Sequence, residues 1–164
     1  MAITKIQSES LNLSDNYDFT GTVTGAGEAN TPSFHAYGSN PVLSNNTNTK
    51  LVMANTYFNI GSGYDTSNSR FTVPSGEGGT YFFYSKFRIE SDNGHIQIVF
   101  RKNGTAINDS TNENGYSTAR YFGVNTAFTI NLNATDYIET YALISVGNTN
   151  GLIHPHFLGF KLHS

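Results

Sequence analysis

The stretch Thr80-Tyr81-Phe82-Phe83-Tyr84-Ser85-Lys86-Phe87-Arg88-Ile89 decides the fold class. Aromatic rings occupy four consecutive positions, 81 to 84, and aromatic side chains suit the pleated surface of a strand. No apolar repeat at i, i+3, i+4 and i+7 marks a helix here or in any other window of the chain. Successive side chains of a strand point to opposite faces. A strand built from this segment therefore carries rings on both faces of its sheet. One set can fill a core, and the other set must be covered by something else.

Working outward, further strands are expected at residues 34–37, 50–58 and 70–73 on the amino-terminal side. On the other side they fall at 95–100, 118–122, 128–132, 137–144 and 157–162. Gly, Asn, Ser and Pro fill the intervals, as in Pro74-Ser-Gly76-Glu-Gly78-Gly79 and Gly147-Asn-Thr-Asn-Gly151. Asn93-Gly94 and Asn103-Gly104 carry the strongest short hairpin signal, because a type I′ turn needs two positive φ angles in a row. Many short strands at this spacing predict an all-β sandwich or barrel. The 164 residues suffice for one such domain, and no disulfide is needed to hold it.

Composition narrows the function. Charged residues make up 13% of the chain against about 25% in an average protein, so Asn, Ser, Thr and Gly supply the polar surface. A net charge of −3 provides no basic stripe for a phosphate backbone, which argues against a nucleic-acid partner. No apolar run approaches the roughly 20 residues that span a bilayer, which argues against membrane insertion. There is no cysteine, hence no disulfide framework or thiolate metal site. The opening Met1-Ala-Ile-Thr-Lys-Ile-Gln7 lacks a signal-peptide core, which sets the expectation of a protein assembled in a cytoplasm.

Three ordered blocks resemble a known family. Asn59-x-Gly61-x-x-Tyr64-Asp65 runs on to Phe71-Thr72-x-Pro74 and then to Gly79-Thr80-Tyr81-Phe82-Phe83. Leu132-x-x-x-Asp136-Tyr137-Ile138 and Phe157-x-Gly159-Phe160-x-Leu162 follow. Together these are similar to the signature of C1q/TNF-like domains. The chain departs from that pattern at Ser69 and Thr135, both of which stand where the family has glycine, and no collagen repeat precedes the domain. The resemblance implies a two-sheet antiparallel jelly-roll sandwich over residues 33–164, assembled as a homotrimer. Tyr81, Phe83, Phe157 and Phe160 are the residues expected at the subunit interface.

Residues 1–32 differ in texture. Leu11-Asn-Leu13 and Tyr17-Asp-Phe19 flank a turn, and a Gly/Thr-rich linker follows up to Pro32. An isolated two-stranded hairpin is marginal in water, so this arm is expected to pair with copies of itself or to dock on another protein. It resembles the start of structural proteins from tailed bacteriophages of marine bacteria. That resemblance implies a virion component, assembled in the host cytoplasm, with the arm contacting other virion proteins.

The remaining chemistry is sparse. Asp15, Asp65, Asp92, Asp109 and Asp136 fall in expected turns, where carboxylates bond to nearby backbone, and no nucleophile–base pair is visible. The expectation is a non-enzymatic protein with no catalytic residues and no resident cofactor. His154-Pro155-His156 sets two imidazoles at i and i+2, and three chains on a threefold axis would present six of them to a transition metal. The loops 38–49, 104–117 and 145–151 are polar and Asn-rich. With Tyr116 and Tyr121 they are the candidates for holding a host-surface glycan.

Overall fold

The computed structural model describes residues 30–39, 43–91, 93–116, 121–146 and 154–164. Residues 1–29 of the expected 1–32 arm and parts of all three candidate glycan loops lie outside the described residues. Twelve strands are described: β1 (Ser33–Tyr37), β2 (Thr49–Lys50), β3 (Asn55–Ile60), β4 (Tyr64–Asp65), β5 (Arg70–Thr72) and β6 (Gly79–Glu90). They continue with β7 (Gly94–Lys102), β8 (Thr105–Ala106), β9 (Asn112–Tyr116), β10 (Tyr121–Leu132), β11 (Tyr137–Val146) and β12 (His156–His163). A five-stranded sheet runs β10-β6-β12-β1-β3. A second sheet runs β4-β5-β11-β7-β8, with β2 on β11 and β9 on β7. All these pairings are antiparallel.

The two sheets close on an aromatic core. Phe34 stacks on Tyr64 and Phe71 with centroids 4.8 and 5.1 Å away, and meets Phe157 edge-on at 4.8 Å. Tyr81, Phe83, Phe100 and Ile98 fill the rest of the gap and are buried. Burying each large apolar side chain contributes roughly 1.5–3 kcal/mol, so such a core needs no covalent staple. Gly159 makes it possible, because a Cβ there would lie 2.4 Å from the ring of Phe83 and 2.9 Å from that of Phe34.

The expected strand at 50–58 divides in two. Lys50 pairs with Tyr141 in the second sheet, while β3 lies on β1 in the first. Leu51 and Met53, both fully buried, carry the chain across the core between them. Tyr121 and Phe122 of the expected strand at 118–122 and the whole of the expected strand at 128–132 belong to one strand, β10, while residues 118–120 lie outside the described residues. Asn125 and Thr126 fall between the two expected strands, and Thr126 Oγ1 donates to the Ser110 carbonyl at 2.6 Å and so fits the interior. The described residues 104–116 hold β8, a 3-10 turn at Asn108–Ser110, and β9. Ser110 is 1% exposed; its Oγ accepts from Phe100 N and donates to the Ile107 carbonyl.

Of the two Asn-Gly signals, one makes a hairpin. Asn103 and Gly104 take φ of 50° and 82° and join β7 to β8, as a type I′ turn requires. Asn93-Gly94 instead connects β6 to β7, which belong to different sheets. Gly94 has a φ of 137°. Residues 30–32, expected as the end of the linker, are docked: Asn30 Nδ2 donates to the Lys161 carbonyl, and Lys161 N donates to the Pro32 carbonyl.

Candidate functional site

The five-stranded sheet presents one face to the core and the other outward, and cross-strand register orders the outer face into rows. Thr129, Phe82, Phe160, Ser33 and Ile60 form one row across β10, β6, β12, β1 and β3. The next row holds Ala127, Tyr84, Leu158, His35 and Phe58. No acid, lysine or arginine stands in either row. Phe82 and Phe160 rings lie 5.4 Å apart. At the β3 edge, where the register shifts beside His35, Tyr57 is 63% exposed, Phe58 45% and Ile60 54%.

The third row changes character: Asn125, Lys86, His156, Tyr37 and Asn55. Gly123 and Arg88 stand opposite each other beyond it. Tyr57 stacks against Tyr37 at 4.5 Å and lies parallel to His156 at 6.3 Å. His35 Nε2 and His156 Nδ1 are 3.1 Å apart and share a hydrogen bond. Partial burial, and then the charge of Lys86, hold both imidazoles below their usual pKa; His35 and His154 add to the effect at His156.

At this end of the face lies a pocket of about 530 Å³, lined by Lys86, Arg88, Gly123, Asn125, His154 and His156 with the backbone neighbourhood of Phe87 and Val124. Gly123 helps to keep it open, since a Cβ at this position would meet Phe87 O at 2.9 Å and Arg88 Cβ at 3.2 Å. The wall on the β10 side is fixed from β9: Asn112 Nδ2 donates to the Asn125 carbonyl and Asn114 Nδ2 to the Gly123 carbonyl. Those two amides satisfy carbonyls along a sheet edge that would otherwise stay open.

The expected interface residues need correction. Tyr81, Phe83 and Phe157 have the inward parity and are 0%, 1% and 0% exposed, so they belong to the aromatic core. Phe160 has the outward parity and does lie on the outer face. Its companions there are Phe82 and Tyr84 of β6 and Leu158 of β12, at the opposite parity to the core rings of those strands, with Phe58 of β3 beside them. Aromatics of both parities on β6 hid which set faced inward; Ser85 at an inward position, bonded to the His156 carbonyl, completes the inward set.

Tyr121 is 45% exposed at the start of β10, with the Arg88 guanidinium 5.5 Å from its ring centroid. Tyr116 ends β9, and its side chain lies outside the described residues. His154 and His156 both line the pocket. Among the described residues of one chain, no group of three or more His, Asp or Glu is placed to hold a metal ion. A metal on these imidazoles would need ligands from several chains.

Among the described residues the acids are dispersed, and four of them serve the framework. Asp65 is held below its usual pKa by the Asn68 side chain and backbone amide, and caps the 65–68 turn. Asp136 is pulled down to about 2 by hydrogen bonds from Lys102 and Asn103 and from the Asn133 amide. Glu139 pairs with Lys50 at 3.2 Å, and Glu77 with Lys161 at 3.1 Å. Burial, with the charge of Glu77, pushes the Tyr81 hydroxyl up to about 12.

No protein-family model matches this sequence, and no curated protein matches it. Solved structures do. The globular domain of zebrafish complement 1qA is similar over 80% of this chain and 97% of its own, with 15% identity and a TM-score of 0.58. The PRD1 vertex protein P5 is similar over 83% of this chain and 100% of its own, with 13% identity and a TM-score of 0.63. Murine APRIL is similar over 77% of this chain and 98% of its own, with 15% identity and a TM-score of 0.52. The fold of this chain is the C1q/TNF-like jelly roll.

Proposed function

We propose that this chain is a non-enzymatic virion structural protein whose residues 33–164 form a homotrimeric knob, with residues 1–32 as the arm that anchors the knob to the particle. The observation that carries the reading is the outer face of the five-stranded sheet. Phe82, Phe160, Tyr84, Leu158, Phe58 and Ile60 make a contiguous apolar surface with no lysine, arginine or acid within its two rows. Soluble monomers rarely leave such a patch open beyond a few hundred Å². Copies of the same chain cover it, three around one axis as the C1q/TNF resemblance implies. The likeness of the fold to a vertex protein, joined to the resemblance of the arm to tailed-phage structural proteins, supports a place on a particle. A head decoration or a short fibre tip that touches the host fits a module of this size.

Sedimentation of the full chain tests the assembly, and mass spectrometry of purified particles tests the location. A three-chain mass and a copy number divisible by three are expected. A single-chain mass overturns the knob, and absence from particles overturns the virion role. A second reading, a free-standing C1q-like glycan-binding or adhesion module, is favoured by the basic pocket beside Arg88.

A further inference from the structure

The outer face of the five-stranded sheet is apolar at one end and cationic at the other. Lys50, Lys102 and Lys161 each hold a carboxylate within 3.2 Å. Lys86 and Arg88, two positions apart on β6, have no carboxylate partner among the described residues. In a chain of net charge −3, with its other described lysines paired, two unneutralised cations share the wall of the pocket. Concave walls of one sign focus the field on an oppositely charged ligand.

The donors around these cations suit an oxyanion on a polyhydroxylated body. A guanidinium can meet a carboxylate with two parallel N–H bonds, and an ammonium adds a point charge. His156 has Nδ1 engaged with His35, which leaves Nε2 for a ligand. His154 and the Asn125 side chain add hydrogen-bonding groups suited to hydroxyls. The ring of Tyr121 beside Arg88 offers an apolar plate at the rim. The volume of about 530 Å³ falls within the roughly 300–1,000 Å³ of small-molecule sites.

We infer that the pocket between β6, β10 and residues 154–156 is a binding site for an acidic sugar unit, a hexuronate of a surface polysaccharide, with Arg88 and Lys86 holding the carboxylate. The inference rests on the chain being a binding module and is independent of the trimer and of the particle.

The test is calorimetric titration of the full chain with glucuronate, with glucose and acetate as separate arms. Saturable binding of glucuronate, with glucose silent and acetate weaker than glucuronate, is the expected result. Arg88→Ala and Lys86→Ala should each weaken glucuronate by at least ~10-fold, the loss that follows from removing one charged hydrogen-bonding partner. Both side chains are exposed, so the variants should keep the fold and sedimentation mass of the parent chain. Glucose binding as well as glucuronate overturns the charge selection. Acetate matching glucuronate overturns the sugar, and no saturation, or variants that bind like the parent, overturns the site. A changed mass in the parent chain bears only on the trimer, so the two readings fail separately.

Discussion

The outer faces of the two sheets are built differently. On the second sheet, Arg101 lies over Tyr141 at 3.9 Å and Arg70 over Tyr137 at 4.7 Å. Lys50 pairs with Glu139 on that same face. Its rings are covered by cations of the same chain, and the charges face water or one another. On the first sheet Phe82 meets Phe160 and Leu158 lies between Tyr84 and His35, with no charge interleaved until Lys86. Both faces carry aromatics, yet one is finished within the chain and the other calls for a neighbour.

The comparison breaks most sharply by charging the unfinished face. Leu158→Lys with Phe160→Glu should reduce the sedimentation mass from three chains to one, with the far-ultraviolet circular dichroism of a β protein retained. An unchanged mass would mean that the assembly, if any, uses another surface. The opposite face of the same sheet should respond through stability. Phe83→Ala, which opens a hole between Phe34, Phe100 and Phe157, should cost about 3–5 kcal/mol in denaturant melts.

Smaller effects separate the two outer faces further. His35 and His156 have lowered pKa values, so the folded chain prefers them neutral. The unfolded chain then takes up protons first as pH falls through 6.5, and stability should drop below that pH and level off beneath the lowered values. Lys86 and His154 oppose protonation, while Tyr37 and Tyr57 flank the pair without charge. Glutamine at 35 and 156 should flatten the drop in melting temperature between pH 7.5 and pH 5.5. On the finished face, Glu139→Gln should cost only about 1 kcal/mol and leave the mass unchanged, since Lys50 remains partly solvated. Thr135→Gly touches neither face. Thr135 sits at φ 74°, unfavourable for a β-branched residue, so glycine there should raise stability by about 1 kcal/mol.

Glycine's role at such positions explains both departures from the C1q-like pattern. Ser69 and Thr135 stand where the family has glycine, and both have positive φ, 49° and 74°. Ser69 has a local compensation, because its Oγ accepts from Met53 N at 2.9 Å inside the core. The described contacts at Thr135 are backbone bonds such as Thr135 N to the Val73 carbonyl, which glycine would keep. The turn at 59–64 was legible in the motif for a related reason: Gly61 has φ 77° and abuts Pro32, and the Asn59 amide brackets Tyr64 from both sides.

By itself the sequence determined the all-β class, the jelly-roll signature, the Asn103-Gly104 hairpin and the presence of more rings than one core could take. The class, the hairpin and the surplus of rings rest on local chemistry, on turn propensity, period-two alternation and the backbone freedom of glycine, whereas the jelly roll rests on the resemblance to C1q/TNF-like domains. Which rings faced inward was not local. Tyr81, Phe83 and Phe157 differ from Phe82, Tyr84 and Phe160 only by parity, and parity acquires meaning when a second sheet covers one side. The pocket was illegible for the same reason. Lys86, Arg88, Gly123 and His156 lie on three strands, far apart in the chain, and only the antiparallel register of β10, β6 and β12 sets them side by side.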